Sequence, residues 1–181
     1  DVDIVSAHDR SDGISVWVNN GEGGFTLAEL LDDGVTTVTA ADLDGDGLTD
    51  IVGGRFNGDR LRVFFKNDRD FDHEIIIETS GGPGMIRATD LNSDGRLDLV
   101  VAMKTSCECL TVVLNEGDRS FSEPQDFSVG ENPAAVATRD IDGDSLVDVV
   151  VVAFNGFTLS VLRNLGVDEA GQWLGFAEPL D

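Results

Sequence analysis

Asp42-Leu43-Asp44-Gly45-Asp46-Gly47-Leu48-Thr49-Asp50 runs straight into Ile51-Val52-Gly53-Gly54, and this coupling of an acidic loop to an apolar segment occurs twice more. The second copy is Asp90 to Asp98 (DLNSDGRLD) followed by LVVA; the third is Asp140 to Asp148 (DIDGDSLVD) followed by VVVVA. Their first residues lie 48 and 50 positions apart. A supersecondary unit repeated at that interval points to a propeller or a solenoid. Carboxylates at alternate positions of a short loop are how such a loop gathers oxygen around calcium.

Working outward from the loops, a second landmark recurs: an Asn, a turn, then an aromatic. It reads Asn19 to Phe25, Asn67 to Phe71, Asn115 to Phe121 and, in a longer form, Asn164 to Phe176. The intervening runs have the alternation or β-branched richness of strands. Each unit therefore reads as four strands. The first leads into the acidic loop (Val35 to Ala40, Met85 to Thr89, Ala134 to Thr138) and the second leaves it (Ile51-Val52, Leu99 to Ala102, Val149 to Ala153). The third precedes the Asn turn (Ile14 to Val18, Leu61 to Phe65, Leu110 to Leu114, Leu159 to Leu162), and the fourth starts at Phe25, Phe71, Phe121 or Phe176. No apolar stripe at helical spacing survives for three turns.

The expected fold is therefore all-β: a β-propeller, or a partial propeller arc, of four-stranded antiparallel blades with calcium loops between first and second strands. The apolar second strand is expected near the central axis, buried on both faces. The blades divide as 1–33 (strands two to four only), 34–82, 83–131 and 132–181. Roughly four blades is the lower limit for closure, so either further blades lie outside this sequence or the arc closes by association. Asp1-Val2-Asp3-Ile4-Val5 mirrors Leu48-Thr49-Asp50-Ile51-Val52, which reads as a start inside a motif and as a piece of a larger propeller. The lack of an opening signal peptide then says nothing about secretion.

In each loop the side chains at positions one, three, five and nine, with the carbonyl of position seven, are the expected ligands of about three Ca2+ ions in all. For the first loop these are Asp42, Asp44, Asp46, Leu48 and Asp50; for the second, Asp90, Asn92, Asp94, Arg96 and Asp98; for the third, Asp140, Asp142, Asp144, Leu146 and Asp148. Asn92 is neutral, which makes the second site the weaker by charge. Position six is Gly47, Gly95 and Ser145, and a positive φ there strains the serine. An EF-hand needs a bidentate Glu at position twelve and flanking helices. Position twelve is Gly53, Val101 and Val151.

These segments closely resemble the FG-GAP and VCBS repeats of integrin-alpha-like β-propellers, and the resemblance extends through the N-x-G-x-x-F turns over essentially the whole chain. It implies calcium at the loops already named, an extracellular fold and a scaffold stabilised by that calcium, without specifying a ligand. Ser145, the truncated opening loop and the incomplete blade count depart from the family pattern.

Charge sharpens the reading. With 35 acidic and 12 basic residues the net charge is −23, which argues against nucleic acid and anionic membrane surfaces. Three divalent ions would bring it to −17. No stretch approaches the ~18 apolar residues of a membrane helix, so no membrane insertion is expected. Loops that need calcium suit compartments where calcium is near millimolar: extracellular, secreted or cell surface, or periplasmic. Cys107 and Cys109 form a C-x-C that is read as a local disulfide, strained by its small ring, with free thiols, a bond to another chain or a metal role as the alternatives. His8, beside Asp9 and Asp12, and His73 read as solvated. Trp17 and Trp173 read as packing residues rather than sugar platforms.

No nucleophile–base set, phosphate loop or basic patch emerges, so the chain is not expected to be an enzyme. The leading expectation is a non-catalytic scaffold for adhesion, binding protein or glycan at loops such as His8 to Gly13 and Lys104 to Cys109. One alternative is a structural subunit whose open edges pair with further blades or other chains. Another is an ancillary domain of a polysaccharide-active or phospholipase-type enzyme.

Overall fold

The computed structural model describes residues 3–9, 13–31, 34–107, 109–155 and 157–179. Asp1 and Val2 of the opening motif, Asp12 and the rest of residues 10–12, and Glu108 lie outside them. All regular structure in the described residues is β, so there is no helix among them long and apolar enough to cross a membrane.

Four antiparallel sheets succeed one another along the chain. The first contains β1 (Ile4–Ala7), β2 (Ile14–Asn19) and β3 (Phe25–Leu31). The second contains β4 (Thr37–Ala41), β5 (Asp50–Gly54), β6 (Arg60–Lys66) and β7 (Phe71–Glu78). The third is built from β8 (Pro83–Thr89), β9 (Asp98–Met103) and β10 (Cys109–Val113), then passes through a small ribbon, β11 (Asn115–Gly117) with β12 (Ser120–Phe121), and ends on β13 (Gln125–Ser128). The fourth contains β14 (Pro133–Arg139), β15 (Asp148–Ala153) and β16 (Thr158–Leu162).

Each sheet is a meander of neighbouring strands because short polar turns join β-branched runs. Successive sheets then stack face to face. Side-chain alternation sends Ile51 toward Ile14 and Phe64 in the cluster between sheets one and two. Its neighbour Val52 points the other way, into the cluster with Leu99, Val101 and Met103 between sheets two and three. Sheets three and four meet over Val100, Leu110, Val112, Val149, Val151 and Trp173. Each such side chain removed from water contributes about 1.5–3 kcal/mol. The result is an arc of stacked propeller-type blades.

Three expectations change. The inner edge of the arc is formed by the first strands, with β4 against β8 and β8 against β14, not by the apolar second strands. β5 and β9 are apolar because neighbouring sheets cover them on both faces, and both are wholly buried; β15 has such a neighbour on one face only and leaves Val152 44% exposed. Phe121 closes the two-residue β12 rather than opening a fourth strand; the fourth strand of that blade is β13. Around Phe176 the chain makes isolated bridges, Asn164 with Phe176 and Val167 with Trp173, in place of a strand. Trp173, Phe176 and Phe127 of the third sheet meet edge-on at 4.9–5.8 Å between ring centroids, and aromatic packing there takes over the role of strand pairing.

Candidate metal centre

Each acidic loop spans the gap between a first and a second strand, so its ends are set by β4 and β5, β8 and β9, or β14 and β15. Position one is clamped from inside the loop. Asp42 accepts from the Gly45 and Gly47 amides at 2.8 and 2.9 Å, and Asp140 from those of Gly143 and Ser145 at 2.7 and 3.0 Å. Asp90 accepts from the Asp94 and Gly95 amides at 3.2 and 3.0 Å. Position five accepts the amide of position seven: Leu48 to Asp46 at 2.8 Å, Arg96 to Asp94 at 2.9 Å, Leu146 to Asp144 at 2.8 Å. The turn needs a left-handed residue at position six, with φ of 86° at Gly47 and Gly95 and 74° at Ser145. The serine bears the expected strain.

Position nine is the deepest. Asp50, Asp98 and Asp148 are wholly buried, and each carboxylate accepts two main-chain amides. One comes from position two of its own loop: Leu43 at 2.8 Å, Leu91 at 2.9 Å, Ile141 at 2.9 Å. The other comes from the last residue of the third strand or two residues beyond it: Lys66 at 2.9 Å, Asn115 at 2.8 Å, Asn164 at 2.9 Å. Asp3 keeps the second of these bonds, from the Asn19 amide at 2.9 Å. Burial pushes the Asp98 carboxyl up to about 6, against the lowering effect of the Asn115 and Leu91 amide bonds, with Asp94 and Asp90 adding to the rise. Asp50 is raised for the same leading reason. A divalent ion placed beside such carboxylates would favour the ionised form.

Carboxylate oxygens of Asp42, Asp44 and Asp50 lie within 4.8 Å of one another, as do those of Asp140, Asp142 and Asp148. Three hard anionic oxygens converging at that range fit a hard, oxygen-seeking cation. The position-five carboxylates stand outside these two sets, held by the position-seven amides. In the second loop the Asn92 amide nitrogen donates to Asp94 at 2.8 Å, and the Arg96 guanidinium pairs with the same carboxylate. Its charge is thus partly spoken for internally.

The Asn landmark is more than a turn former. Asn115 Nδ2 donates to the Leu43 carbonyl at 2.7 Å, inside the acidic loop of the preceding sheet. Asn164 Nδ2 does the same to Leu91 at 2.7 Å, while its Oδ1 accepts Trp173 Nε1–H at 2.9 Å. Each staples one blade to the loop of the blade before. In the second sheet Lys66 occupies that position, and Asn67, read from sequence as the equivalent, stands one residue later in an exposed turn with Arg69 and Asp70. The one-residue offset of an N-D-R-D turn from an N-x-G turn concealed this.

One further reading changes. His8 is half-buried, with Nε2 3.1 Å from Ser6 Oγ and 3.0 Å from Ser15 Oγ, rather than simply solvated; Ser6 and Ser15 were not legible as its partners because strand pairing alone brings them there. Cys107 and Cys109 are disulfide-bonded. Asp126, close to both sulfurs, instead accepts the hydroxyls of Thr111 at 2.6 Å and Ser80 at 2.5 Å. His73 is exposed beside Phe65, and Trp173 is buried at 7% exposure.

The sequence pattern of the FG-GAP-like repeat matches residues 1–53, 42–101 and 90–151. The chain belongs to the FG-GAP-like repeat family. Each FG-GAP-like match closes just beyond an acidic loop, and the second and third also begin at one, so neighbouring matches share a loop. The shared loop is the element that the Asn staples connect to the next sheet. No curated protein matches the chain.

Proposed function

We propose that this FG-GAP-like chain is a non-catalytic, calcium-stabilised scaffold of an extracellular protein, presenting its inter-strand turns to a protein or glycan ligand. The observation that carries the calcium reading is the threefold recurrence of one arrangement: a buried position-nine carboxylate and, in two loops, three carboxylates converging within 4.8 Å. Bound calcium would supply positive charge that neutralises these aspartates and crosslinks strand ends. The chain's own part is to hold position one with loop amides and position nine with amides at or just beyond the end of the third strand. The extracellular setting is supported by family membership and by the millimolar calcium such loops suit. The ligand reading rests on the turns at the end of the sheets opposite the acidic loops, Arg55 to Asp59 and Lys104 to Cys107 among them.

Metal bound only to the folded state adds its binding free energy to stability. Thermal melting with excess calcium and with EGTA is the test, with elemental analysis of the purified protein. A melt unmoved by EGTA and no recovered calcium would end the calcium reading. A second reading, assembly through the face of the fourth sheet, is favoured by Ile141, Val152 and Leu159. They are 48, 44 and 52% exposed at positions where the third sheet buries Leu91, Ala102 and Leu110. Light scattering decides it: multiples of 19.3 kDa support assembly, and a persistent monomer removes it.

A further inference from the structure

The turn between β11 and β12 has two consecutive non-glycine residues in the left-handed region, Asp118 at φ 51° and Arg119 at φ 59°. Two-residue hairpin turns of this kind favour Asn-Gly or Asp-Gly, because a side chain at the second position is disfavoured there. Here that second residue carries a guanidinium with a defined destination. Arg119 Nε donates to Asp44 Oδ2 at 2.7 Å, in the acidic loop of the neighbouring sheet. Its guanidinium also lies over the Phe65 ring, 4.9 Å from the centroid. The Asp44 side chain is only 8% exposed and that of Arg119 34%, so Asp44 is the best shielded carboxylate among the ion pairs of the described residues.

The other loops meet their bases differently. Arg96 pairs with Asp94 from within its own loop. Arg163 approaches Asp142 only to 4.0 Å, with 49% of its side chain exposed. Only at the first loop, among the described residues, does a cation cross from the next blade. The same ribbon also delivers Asn115 to the Leu43 carbonyl, so this loop is clasped at positions two and three by one short turn.

We propose that Arg119 is a built-in counter-cation of the first loop, competing with calcium for Asp44 and thereby coupling the filling of that loop to the packing of the third sheet. This rests on the calcium reading above. A guanidinium within hydrogen-bond range of a ligand carboxylate repels a divalent ion bound to the same group, and in a partly shielded site that lowers affinity on the order of tenfold. In the metal-free state the same contact ties the two sheets together.

The test is a calcium titration followed by amide NMR, with Gly45 and Gly47 reporting the first loop, Gly95 the second and Gly143 the third. Arg119→Met keeps an aliphatic stem over Phe65 and removes the charge; Arg119→Lys keeps a charge. In R119M the first-loop midpoint should fall about tenfold in calcium concentration, with the other two loops within about twofold. R119K should stay near the wild-type midpoint. The EGTA melt of R119M should lie below that of the wild type, with a larger calcium-induced rise. An unchanged or higher first-loop midpoint in R119M overturns the proposal, and so does an R119K midpoint displaced as far as that of R119M, since shape and not charge would then be responsible. A wild-type protein whose glycine amides ignore calcium sinks the calcium reading and this inference together. Shifts at all three loops without a displaced midpoint sink this inference alone.

Discussion

The first and third acidic loops carry the same four aspartates and the same internal hydrogen bonds, yet they sit in different surroundings. Leu43, at position two of the first loop, is 3% exposed and its carbonyl is held by Asn115. Ile141, at the same position of the third, is 48% exposed. Among the described residues no sheet lies against it. Asp44 meets Arg119 of the next sheet, whereas the equivalent Asp142 meets Arg163 of its own. The comparison separates two roles within one motif. The aspartates shape the loop, which they do alike in both copies, and the position-two residue joins blades, which it does only where a neighbour is packed on it.

Position two should therefore break the equivalence most strongly. Leu43→Ala opens a cavity between sheets two and three and should cost about 3 kcal/mol in urea denaturation. Ile141→Ala, on an exposed face, should stay within about 0.5 kcal/mol. Equal costs would mean that Ile141 is covered in solution, and the contrast would collapse.

The Asn staple should give the next largest effect. Asn115→Ala strands the buried Leu43 carbonyl and removes a further bond to Leu97; a loss of about 2 kcal/mol is expected. Asn67→Ala disturbs only an exposed turn and should stay under about 0.5 kcal/mol. A larger loss at Asn67 would restore the register read from sequence and displace Lys66 from the staple position.

The smallest effect lies within the loops themselves. Ser145→Gly relieves a left-handed serine and should raise metal-free stability by up to about 1 kcal/mol, with Gly47→Ser lowering it by a similar amount. No atom stands within 4 Å of a Cβ added at Gly47, so backbone conformation alone is at issue. Reciprocal shifts in the EGTA melt would confirm that the two loops are the same object apart from their neighbours.

Much of the fold was legible because its determinants are local. The acidic loops, the second strands after them and the third strands before the Asn turns are encoded in patterns within about ten residues, and the structure places strands there. The fourth strands were less legible. Phe121 and Phe176 mark turns, and the path of the chain beyond each depends on pairing to β10 or packing on Phe127. The loop aspartates were found by spacing; Arg119, Lys66 and the Ser6–His8–Ser15 cluster were not, since each gains its partner across a sheet or from a neighbouring blade. The misplaced inner edge has the same origin, because an apolar run says that both faces are covered without saying by what.

By itself the sequence determined the repeat, its all-β character and the three loops, since hydrogen bonds between residues two to seven positions apart suffice to build each loop. Only the tertiary structure decided which loop is clasped and which stands open. Leu43 and Ile141 are nearly the same side chain in the same motif. Stacking of sheets, through contacts between residues as distant in the chain as Asn115 and Leu43, makes one a core residue and leaves the other at the surface.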